Sequence, residues 1–289
     1  RSENSLTVVD LDNTSDVLID GVVISGGHAN SFAGTAVTKL YRGSAIYANN
    51  ARNITLKHTT IENNVAEVEG AVRFYNTTAN NGTFTIESCI FRHNLSTYGS
   101  GITFITQNNY ITHDVNIYNS LFYDNIAKDL SGSTRGSFSG SALLIHANYN
   151  STQNVTAVNN TFAYNKDYGT ATTDPRASVV LRRYGRYDNA NALGNVNAEF
   201  YNNVFADNFT DAGVVATKDI CLMNLPNNKL NSLTVNNNRT ANDAYLSTLS
   251  NNFSGTNFQF APAFEDAANF DFSLQATSPM IDVGDDTKV

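Results

Sequence analysis

The stretch CIFRHNLSTYGSGITFI, residues 89–105, contains two short phrases that return along most of the chain. The first, FRHN at 91–94, is echoed by IENN at 61, FYDN at 122, FAYN at 162 and FADN at 205. The second, GSGI at 99–102, is echoed by GSAI at 43, EGAV at 69 and GSAL at 140. Recurrence with a period of about 20–50 residues is typical of solenoids, in which each repeat stacks on its neighbours.

An apolar residue opens each FxxN phrase, and the spacing of these residues gives the length of each coil. They are Ile24, Ile61, Phe91, Phe122, Phe162 and Phe205, separated by 37, 30, 31, 40 and 43 positions. Alternating apolar and polar residues precede each of them, as in FTIESCIF at 84–91. We therefore predict an all-β fold, a single right-handed parallel β-helix whose short strands pair from coil to coil.

The whole chain, residues 1–289, is predicted to be one β-helix domain. Repeating coils occupy about 15–210, and an irregular coil and cap occupy about 211–289, where the segment at 262–286 does not repeat. A cap is expected because the last coil would otherwise expose unpaired strand edges. The abrupt ends of the sequence favour a part of a longer chain.

Alignment of the coils places asparagine in two columns, one just before and one just after the apolar anchors. The first column contains Asn119, Asn159 and Asn202, with His58 and Ser88 at the equivalent earlier positions. The second column contains Asn64, Asn94, Asn125, Asn165 and Asn208. Asparagine tolerates the left-handed backbone conformation, and stacked amides can hydrogen-bond between coils. Both columns are therefore predicted to be structural corners. Asn94 and Asn208 also open glycosylation triplets, but the corner role is favoured there.

Composition and charge exclude several classes of function. The net charge is −8 and the pI is about 5.0, so a nucleic-acid partner is not expected. No apolar run is long enough to span a membrane. Cys89 and Cys221 lie in apolar surroundings and are predicted to be buried thiols rather than a disulfide. We expect the protein to be a monomer.

The two phrases resemble a known family of repeats. The alternation of G-[GS]-[AG]-[ILV] with [FI]-x-x-N is similar to the repeats of chlamydial polymorphic outer-membrane proteins and of secreted bacterial right-handed parallel β-helix repeat proteins. The tail from 262, PAF…FDFSLQATSPMIDVGD, is similar to the SP-ID-GD ending of those secreted proteins, and departs from it at Met280 and Val283. The resemblance implies an exported bacterial protein, extracellular or at the cell surface. It does not fix the function, because the family includes both adhesins and carbohydrate-active enzymes.

The outward columns offer few groups for catalysis or metal binding. Glu87 stands one coil above Lys57, which predicts a stacked ion pair with little energetic weight. Glu67 and Glu69 lie near a corner where Ca²⁺ could bind, but a solvated corner is favoured and no motif indicates a metal or other cofactor. Glu199 faces outward without a second acid beside it, and the five histidines share no metal-like spacing.

One segment concentrates positive charge and aromatic rings in this acidic chain. It is PRASVVLRRYGRYDNANALGN at 175–195, and its candidate binding residues are Arg176, Arg182, Arg183, Tyr184, Arg186 and Tyr187. Arginine can bind a carboxylate or sulfate of an anionic glycan while tyrosine stacks on sugar rings. The alternative is an ordinary loop that covers a coil and pairs with nearby aspartates.

Two functional hypotheses follow. The leading one is a noncatalytic extracellular module, adhesin- or stalk-like, that contacts a polysaccharide or cell-surface glycan through its non-repeated loops. The second is a polysaccharide lyase or glycoside hydrolase that acts on an acidic polysaccharide, with catalytic residues that the sequence does not identify. A weaker third option is a tail-spike-like module of a phage or virus.

Overall fold

The computed structural model confirms the parallel β-helix, built from four parallel sheets to which successive coils contribute one strand each. The structure describes residues 7–29, 42–78, 80–107, 110–130, 140–168, 177–184, 193–210, 214–215, 219–223, 230–240, 243–284 and 286–288. The candidate residues Arg176, Arg186 and Tyr187 lie outside these ranges.

The strands are short and follow one another coil by coil. Coils 1 to 3 contain β1 (Val9–Asp10), β2 (Ser15–Asp20), β3 (Val23–Ser25), β4 (His28–Ala29), β5 (Ile46–Asn49), β6 (Arg52–Lys57), β7 (Thr60–Glu62), β8 (Val65–Glu69), β9 (Val72–Asn76), β10 (Gly82–Glu87), β11 (Ile90–Arg92) and β12 (Leu95–Tyr98). Coils 4 and 5 contain β13 (Ile102–Thr106), β14 (Thr112–Tyr118), β15 (Leu121–Tyr123), β16 (Ile126–Ala127), β17 (Leu143–Asn148), β18 (Thr152–Val158), β19 (Thr161–Ala163) and β20 (Lys166–Asp167).

The later coils are less regular. Coil 6 contains β21 (Val179–Tyr184), β22 (Asn195–Tyr201), β23 (Val204–Ala206), β24 (Phe209–Thr210) and β25 (Val214–Val215). After it come β26 (Ile220–Met223), β27 (Ser232–Asn236), helix α1 (Asp243–Leu246), β28 (Phe253–Ser254), β29 (Phe264–Asp266) and β30 (Asp271–Leu274), with 3₁₀ turns at Ala267–Asn269 and Asp286–Lys288.

The strand orders show how the coils stack. Sheet 1 has the order β1-β5-β9-β13-β17-β21-β26, and sheet 2 has the order β2-β6-β10-β14-β18-β22-β27-β28. Sheet 3 runs from β3 to β23 and sheet 4 from β4 to β25, each with a strand from every coil between them. All of these pairs are parallel except β24 with β25, so the repeat unit is one coil.

The core consists of the inward columns that the alternating pattern predicted. The anchor residues are in register with one another, Ile24 with Ile61 and Phe91 with Phe122. The Phe91 and Phe122 rings stack with centroids 4.7 Å apart, and Phe122 and Phe162 stack at 4.9 Å. Ring stacking at the strand spacing buries large apolar area from Phe91 to Phe205, and this burial fixes the register there.

The two asparagine columns are both at corners, but they do different things. Asn119, Asn159 and Asn202 adopt left-handed backbone conformations, with φ of 50°, 57° and 56°, as expected. The second column does not; there the left-handed residue is the one before it, such as Asp124 ahead of Asn125.

The second column forms a buried ladder of amides. Nδ2 of each asparagine donates to Oδ1 of the next, at distances between 2.9 and 3.1 Å, from Asn64 through Asn94, Asn125 and Asn165 to Asn208. All five also donate to a backbone carbonyl of the preceding coil, as Asn125 does to Phe91 at 2.9 Å. These corners therefore keep their buried polar groups paired.

A second ladder was not predicted from the sequence. It runs from Asn160 to Asn203, Asn238 and Asn257, with Nδ2 to Oδ1 distances of 2.9, 2.8 and 3.1 Å. Cys89 and Ser120 occupy the equivalent positions in earlier coils, where the Cys89 amide donates to Oγ of Ser120 at 3.1 Å. The column was missed because asparagine enters it only in the later coils.

The glycines of the second phrase allow the turn into sheet 1. Gly99 has φ of +53°, and a Cβ there would lie 2.2 Å from Oγ1 of Thr103. A side chain at this corner would both strain the backbone and clash with the next strand.

The irregular region covers the C-terminal end of the stack. Strands β26 and β27 add to sheets 1 and 2, and Leu246 and Leu249, in and just after α1, are buried in the core. The C-terminal tail, residues 262–284, follows a path that the sequence did not predict. The β29–β30 hairpin runs back along the side of the solenoid, where Phe270 stacks on Tyr123 at 4.8 Å and Phe272 lies 6.0 Å from Tyr164.

Two further expectations concern membrane spans and thiols. Among the described residues, the structure has no helix that is long and apolar enough to cross a membrane. Cys89 and Cys221 are both buried, as expected, and burial raises the pKa of the Cys89 thiol to about 11.

Candidate functional site

The outward faces of sheets 1 and 2 differ in chemistry and exposure. On sheet 2 the central outward column remains partly exposed and contains Thr55, Thr85, Asn116 and Thr156. On sheet 1 an outward column is buried and contains Arg73, Thr103, Leu144 and Val180. A second apolar cluster lies on the outer surface of sheet 1, where Val68 and Tyr98 pack with Leu144 and Val180, and it accounts for part of this burial. Non-repeated side chains therefore cover the outward face of sheet 1.

A cleft of about 610 Å³ lies over this face of sheet 1. Its apolar lining residues are Val68, Ile105 and Leu144, which are all buried. Four tyrosines line it, namely Tyr75, Tyr98, Tyr149 and Tyr184. The remaining lining residues are polar or charged: Arg42, Glu69, Gln107, His146, Asn148 and Arg182. Clefts of this size with apolar lining residues and a few polar groups are typical of small-ligand sites.

A buried ion-pair cluster forms one end of the cleft. Arg73 is only 1% exposed, and its Nε pairs with Oε2 of Glu69. Arg42 contacts the same oxygen of this carboxylate, with Nε 3.4 Å from Oε2. The solvated corner expected for Glu69 is therefore wrong, because two arginines from neighbouring coils contact its carboxylate.

Aromatic rings hold Arg73 in place beneath the cleft. Its guanidinium lies 4.1 Å from the centroid of the Tyr75 ring and 5.2 Å from that of Tyr47. Cation–π contacts stabilise a desolvated guanidinium, but they use the face of the group and leave its N–H bonds free. Nη1 of Arg73 has no hydrogen-bond partner within the part of the chain that the structure describes. Burial also raises the pKa of Tyr75, whose hydroxyl donates to Gln107.

His146 lies near the middle of the cleft, on β17. Burial, together with the positive charge of Arg182, holds the pKa of His146 well below 6.5, so the ring is neutral at pH 7. Neither its Nε2 nor Oδ1 of Asn148 makes a hydrogen bond of good geometry among the described residues, although the Asn148 side chain acts on the ring as a hydrogen-bond partner and partly offsets the lowering of its pKa. An unpaired buried polar atom costs about 1–3 kcal/mol, so these two atoms in one cleft are energetically unfavourable as they stand.

Only some of the described residues in the arginine–tyrosine segment at 175–195 line the cleft. Arg182 is in register with His146, and its guanidinium lies 4.8 Å from the centroid of the Tyr184 ring. Both Arg182 and Tyr184 line the cleft. Arg183 does not line it; its Nε donates to the carbonyl of Gly194 at 2.7 Å, and burial lowers its pKa. Of the three described candidates, the structure thus brings two into one site and gives Arg183 a local structural contact.

The other candidates from the sequence lie elsewhere. Nζ of Lys57 is 3.0 Å from Oε1 of Glu87 in a partly exposed pair on sheet 2, as predicted. His58 is a left-handed corner residue, and its Nδ1 lies 2.9 Å from Oδ1 of Asp20. Glu199 is exposed on sheet 2. Within the described ranges, no group of three or more His, Cys, Asp or Glu residues could hold a metal ion.

Only part of the cleft could be predicted from the sequence, and the register of the strands explains why. Tyr75, Ile105, His146 and Arg182 occupy one outward column of sheet 1. The column follows from the same alignment that gave the inward residues. Its members share no residue type, however, so no repeated phrase drew attention to it.

Comparison with known proteins gives no further assignment. No protein-family model, no curated protein and no solved structure matches this chain.

Proposed function

We propose that this protein is an extracellular, noncatalytic β-helix module, adhesin- or stalk-like, that binds an acidic oligosaccharide or polysaccharide in the cleft on sheet 1. One observation carries the proposal. In a chain with a net charge of −8, the cleft brings arginines, tyrosines and unpaired buried polar atoms together on one face.

The chemistry of these groups matches that of a sugar acid. A guanidinium can hold a carboxylate through two parallel hydrogen bonds, and Arg182, which lines the cleft, carries such a group. Tyrosine rings offer flat apolar surface for sugar faces and a hydroxyl for sugar oxygens. The ligand's hydroxyl groups would satisfy Nε2 of His146 and Oδ1 of Asn148, which make no hydrogen bond of good geometry among the described residues.

Binding to a panel of acidic polymers tests the proposal. Fragments of pectate, alginate and chondroitin would be titrated by calorimetry against the wild type and the variant Arg182→Ala. Loss of a charged hydrogen-bonding partner is expected to weaken binding by about 10- to 100-fold. Arg52→Ala is the matched control, because Arg52 is an exposed arginine on sheet 2, away from the cleft. Absence of binding to every acidic polymer, or an equal loss in the control, would contradict the proposal.

A second candidate function is β-elimination on a uronate-containing polysaccharide. The observation that favours it is the neutral His146 ring in the same cleft as Arg182. Nε2 of His146 would take the proton from the carbon that bears the carboxylate. The electron pair would then form a carbon–carbon double bond as the bond to the glycosidic oxygen breaks. A tyrosine hydroxyl would protonate that oxygen, while Arg182 balances the charge on the carboxylate.

Formation of an unsaturated sugar distinguishes the two functions. Ultraviolet absorbance of the product would be followed on the same polymers, with and without Ca²⁺. Turnover that falls at least about 100-fold in His146→Asn would support elimination. Tight binding without any unsaturated product would leave the noncatalytic module as the function.

The cellular location is part of the proposal. The GSAI and FxxN phrases resemble repeats of exported bacterial proteins, and this resemblance supports an extracellular or cell-surface location. Fractionation of the source cells, with protease treatment of intact cells, tests it. Detection of the protein only in the cytosolic fraction would contradict the location.

A further inference from the structure

The cleft extends along the axis of the solenoid, across several coils. Arg42 lies just ahead of β5, and Arg182 lies on β21. These strands are separated by four steps in sheet 1, through β9, β13 and β17. Neighbouring coils are about 4.8 Å apart, and Nε of Arg42 reaches Glu69 in the next coil. The guanidinium groups of Arg42 and Arg182 are therefore separated by about three coil steps, roughly 14 Å along the axis.

The cleft is also wide along the strands. In the coil of the central strand β13, the lining residues run from Tyr98 to Gln107. Arg42 is in register with Glu69, ahead of β9, whereas Arg182 is in register with His146. A ligand that touches both arginines must therefore cross several coils, obliquely to the solenoid axis.

Charge is distributed unevenly along this direction. Arg42 and the buried Arg73 contact Glu69 at one end, and Arg182 lies at the other. Three guanidinium groups against one carboxylate give a local charge of +2 among these described residues. The middle is uncharged and contains Ile105, Leu144 and the neutral His146.

Resting on the function proposed above, we infer that the ligand is an extended acidic oligosaccharide of about four sugars or more, bound across the coils with one carboxylate at Arg42 and another at Arg182. The chain length follows from the spacing, because an extended hexuronate chain advances by roughly one coil spacing of about 4.8 Å per sugar, so the first and fourth carboxylates are about three spacings apart. Sugars between the two ends would lie over the apolar lining residues and the tyrosines, where ring stacking rather than charge gives the contact.

A size series on the wild type tests this without any substitution. Oligomers of galacturonate and of mannuronate, from the dimer to the hexamer, would be titrated by calorimetry. Affinity is expected to rise at least about 10-fold between the dimer and the tetramer, because only the longer chain engages both ends, and then to level off. Equal affinity per molecule from dimer to hexamer would overturn the inference, although binding itself would still support the proposed function.

Variants at the two ends give a second, independent measurement. With the tetramer, Arg42→Gln and Arg182→Gln are each expected to weaken binding at least about 10-fold. With the dimer, which can occupy either end, each single variant should cost no more than about two-fold. Arg42→Lys keeps the charge beside Glu69 and should recover part of the tetramer affinity.

The outcomes separate the two proposals. If Arg182→Gln weakens tetramer binding and a folded Arg42→Gln does not, the ligand occupies one end only and the inference is wrong. If no oligomer binds the wild type, the proposed function fails as well. Thermal unfolding of each variant shows whether it is folded.

Discussion

Two regions with buried polar side chains contrast with each other, namely the asparagine corner around Asn125 and the cleft around His146. At the corner, Asn125 donates to Phe91 and Asn165 and accepts from the backbone and side chain of Asn94. In the cleft, Nε2 of His146 makes no hydrogen bond of good geometry among the described residues. The difference shows that hydrogen bonding is complete at the corner and incomplete in the cleft, which supports the proposal that the cleft binds a ligand.

Breaking the corner should have the largest effect. Asn125→Ala removes four hydrogen bonds and leaves the Phe91 carbonyl and the Asn94 amide unpaired in a buried site. We expect the free energy of unfolding to fall by about 3–5 kcal/mol, as measured by urea denaturation. The matched control is Asn116→Ala, an outward asparagine on sheet 2, which should change the free energy of unfolding by less than about 0.5 kcal/mol. Similar losses for the two variants would mean that the ladder adds no specific stability.

A second buried histidine, His113, is expected to make the stability depend on pH. Unlike His146, His113 has both ring nitrogens within hydrogen-bond distance of a side chain, Asn76 at 3.1 Å and Thr106 at 3.2 Å. Burial lowers the pKa of His113 from 6.5 to about 4. The unfolded chain therefore binds this proton first as the pH falls. The contribution of the neutral His113 to the free energy of unfolding is fully present above pH 6.5. It should decrease towards pH 4, by on the order of 3 kcal/mol.

Urea denaturation between pH 7 and pH 4.5 checks this pH dependence. His113→Gln should flatten the curve by the share that His113 contributes. Since the pKa of His146 is also lowered by burial, it acts in the same direction and some slope should remain. An unchanged slope in the variant would show that His113 is not the titrating group.

Filling the cleft should have the opposite effect on stability to breaking the corner. His146→Leu removes a polar atom that makes no hydrogen bond of good geometry among the described residues and adds apolar surface next to Ile105. We expect the free energy of unfolding at pH 7 to stay the same or to rise by up to about 1 kcal/mol. A loss of more than about 2 kcal/mol would show that the ring has a structural role.

The smallest effect is expected on the repeated outer face of sheet 2. Glu87→Gln breaks the ion pair with Lys57, in which the two side chains are 36% and 33% exposed. The change in the free energy of unfolding should be below about 1 kcal/mol and should shrink further in 1 M salt. A larger effect that persists in salt would mean that the pair is better shielded than its exposure indicates.

The inward-facing residues could be predicted from the sequence, because they recur at the same position in every coil. Residues such as Phe91 and Phe122 must match in register to stack, so the pattern recurs and shows the fold. The Lys57–Glu87 pair was predictable for the same reason, since register places outward residues of successive coils side by side.

The cleft and the tail could be read only in part. Arg182 and Tyr184 were found because they concentrate charge and rings in one segment, whereas Arg42 and His146 stand alone in sequence and meet only in the fold. The second asparagine ladder was hidden because Ser120 and Cys89 replace asparagine in its earlier coils. The tail has no period, so its contact with Tyr123 depends on tertiary packing alone.

The path of the tail has a consequence for how the solenoid unfolds. In a stack of coils each unit contacts only its neighbours, and such a chain can open from one end without the other. Here Phe270 lies against His93 and Tyr123, and Phe272 lies against Tyr123 and Tyr164, so one segment from the end of the chain links three successive coils. Those coils cannot separate without releasing the tail, and the tail cannot hold its place once one of them opens. The hairpin therefore makes the central coils a more cooperative unit than their nearest-neighbour contacts would give.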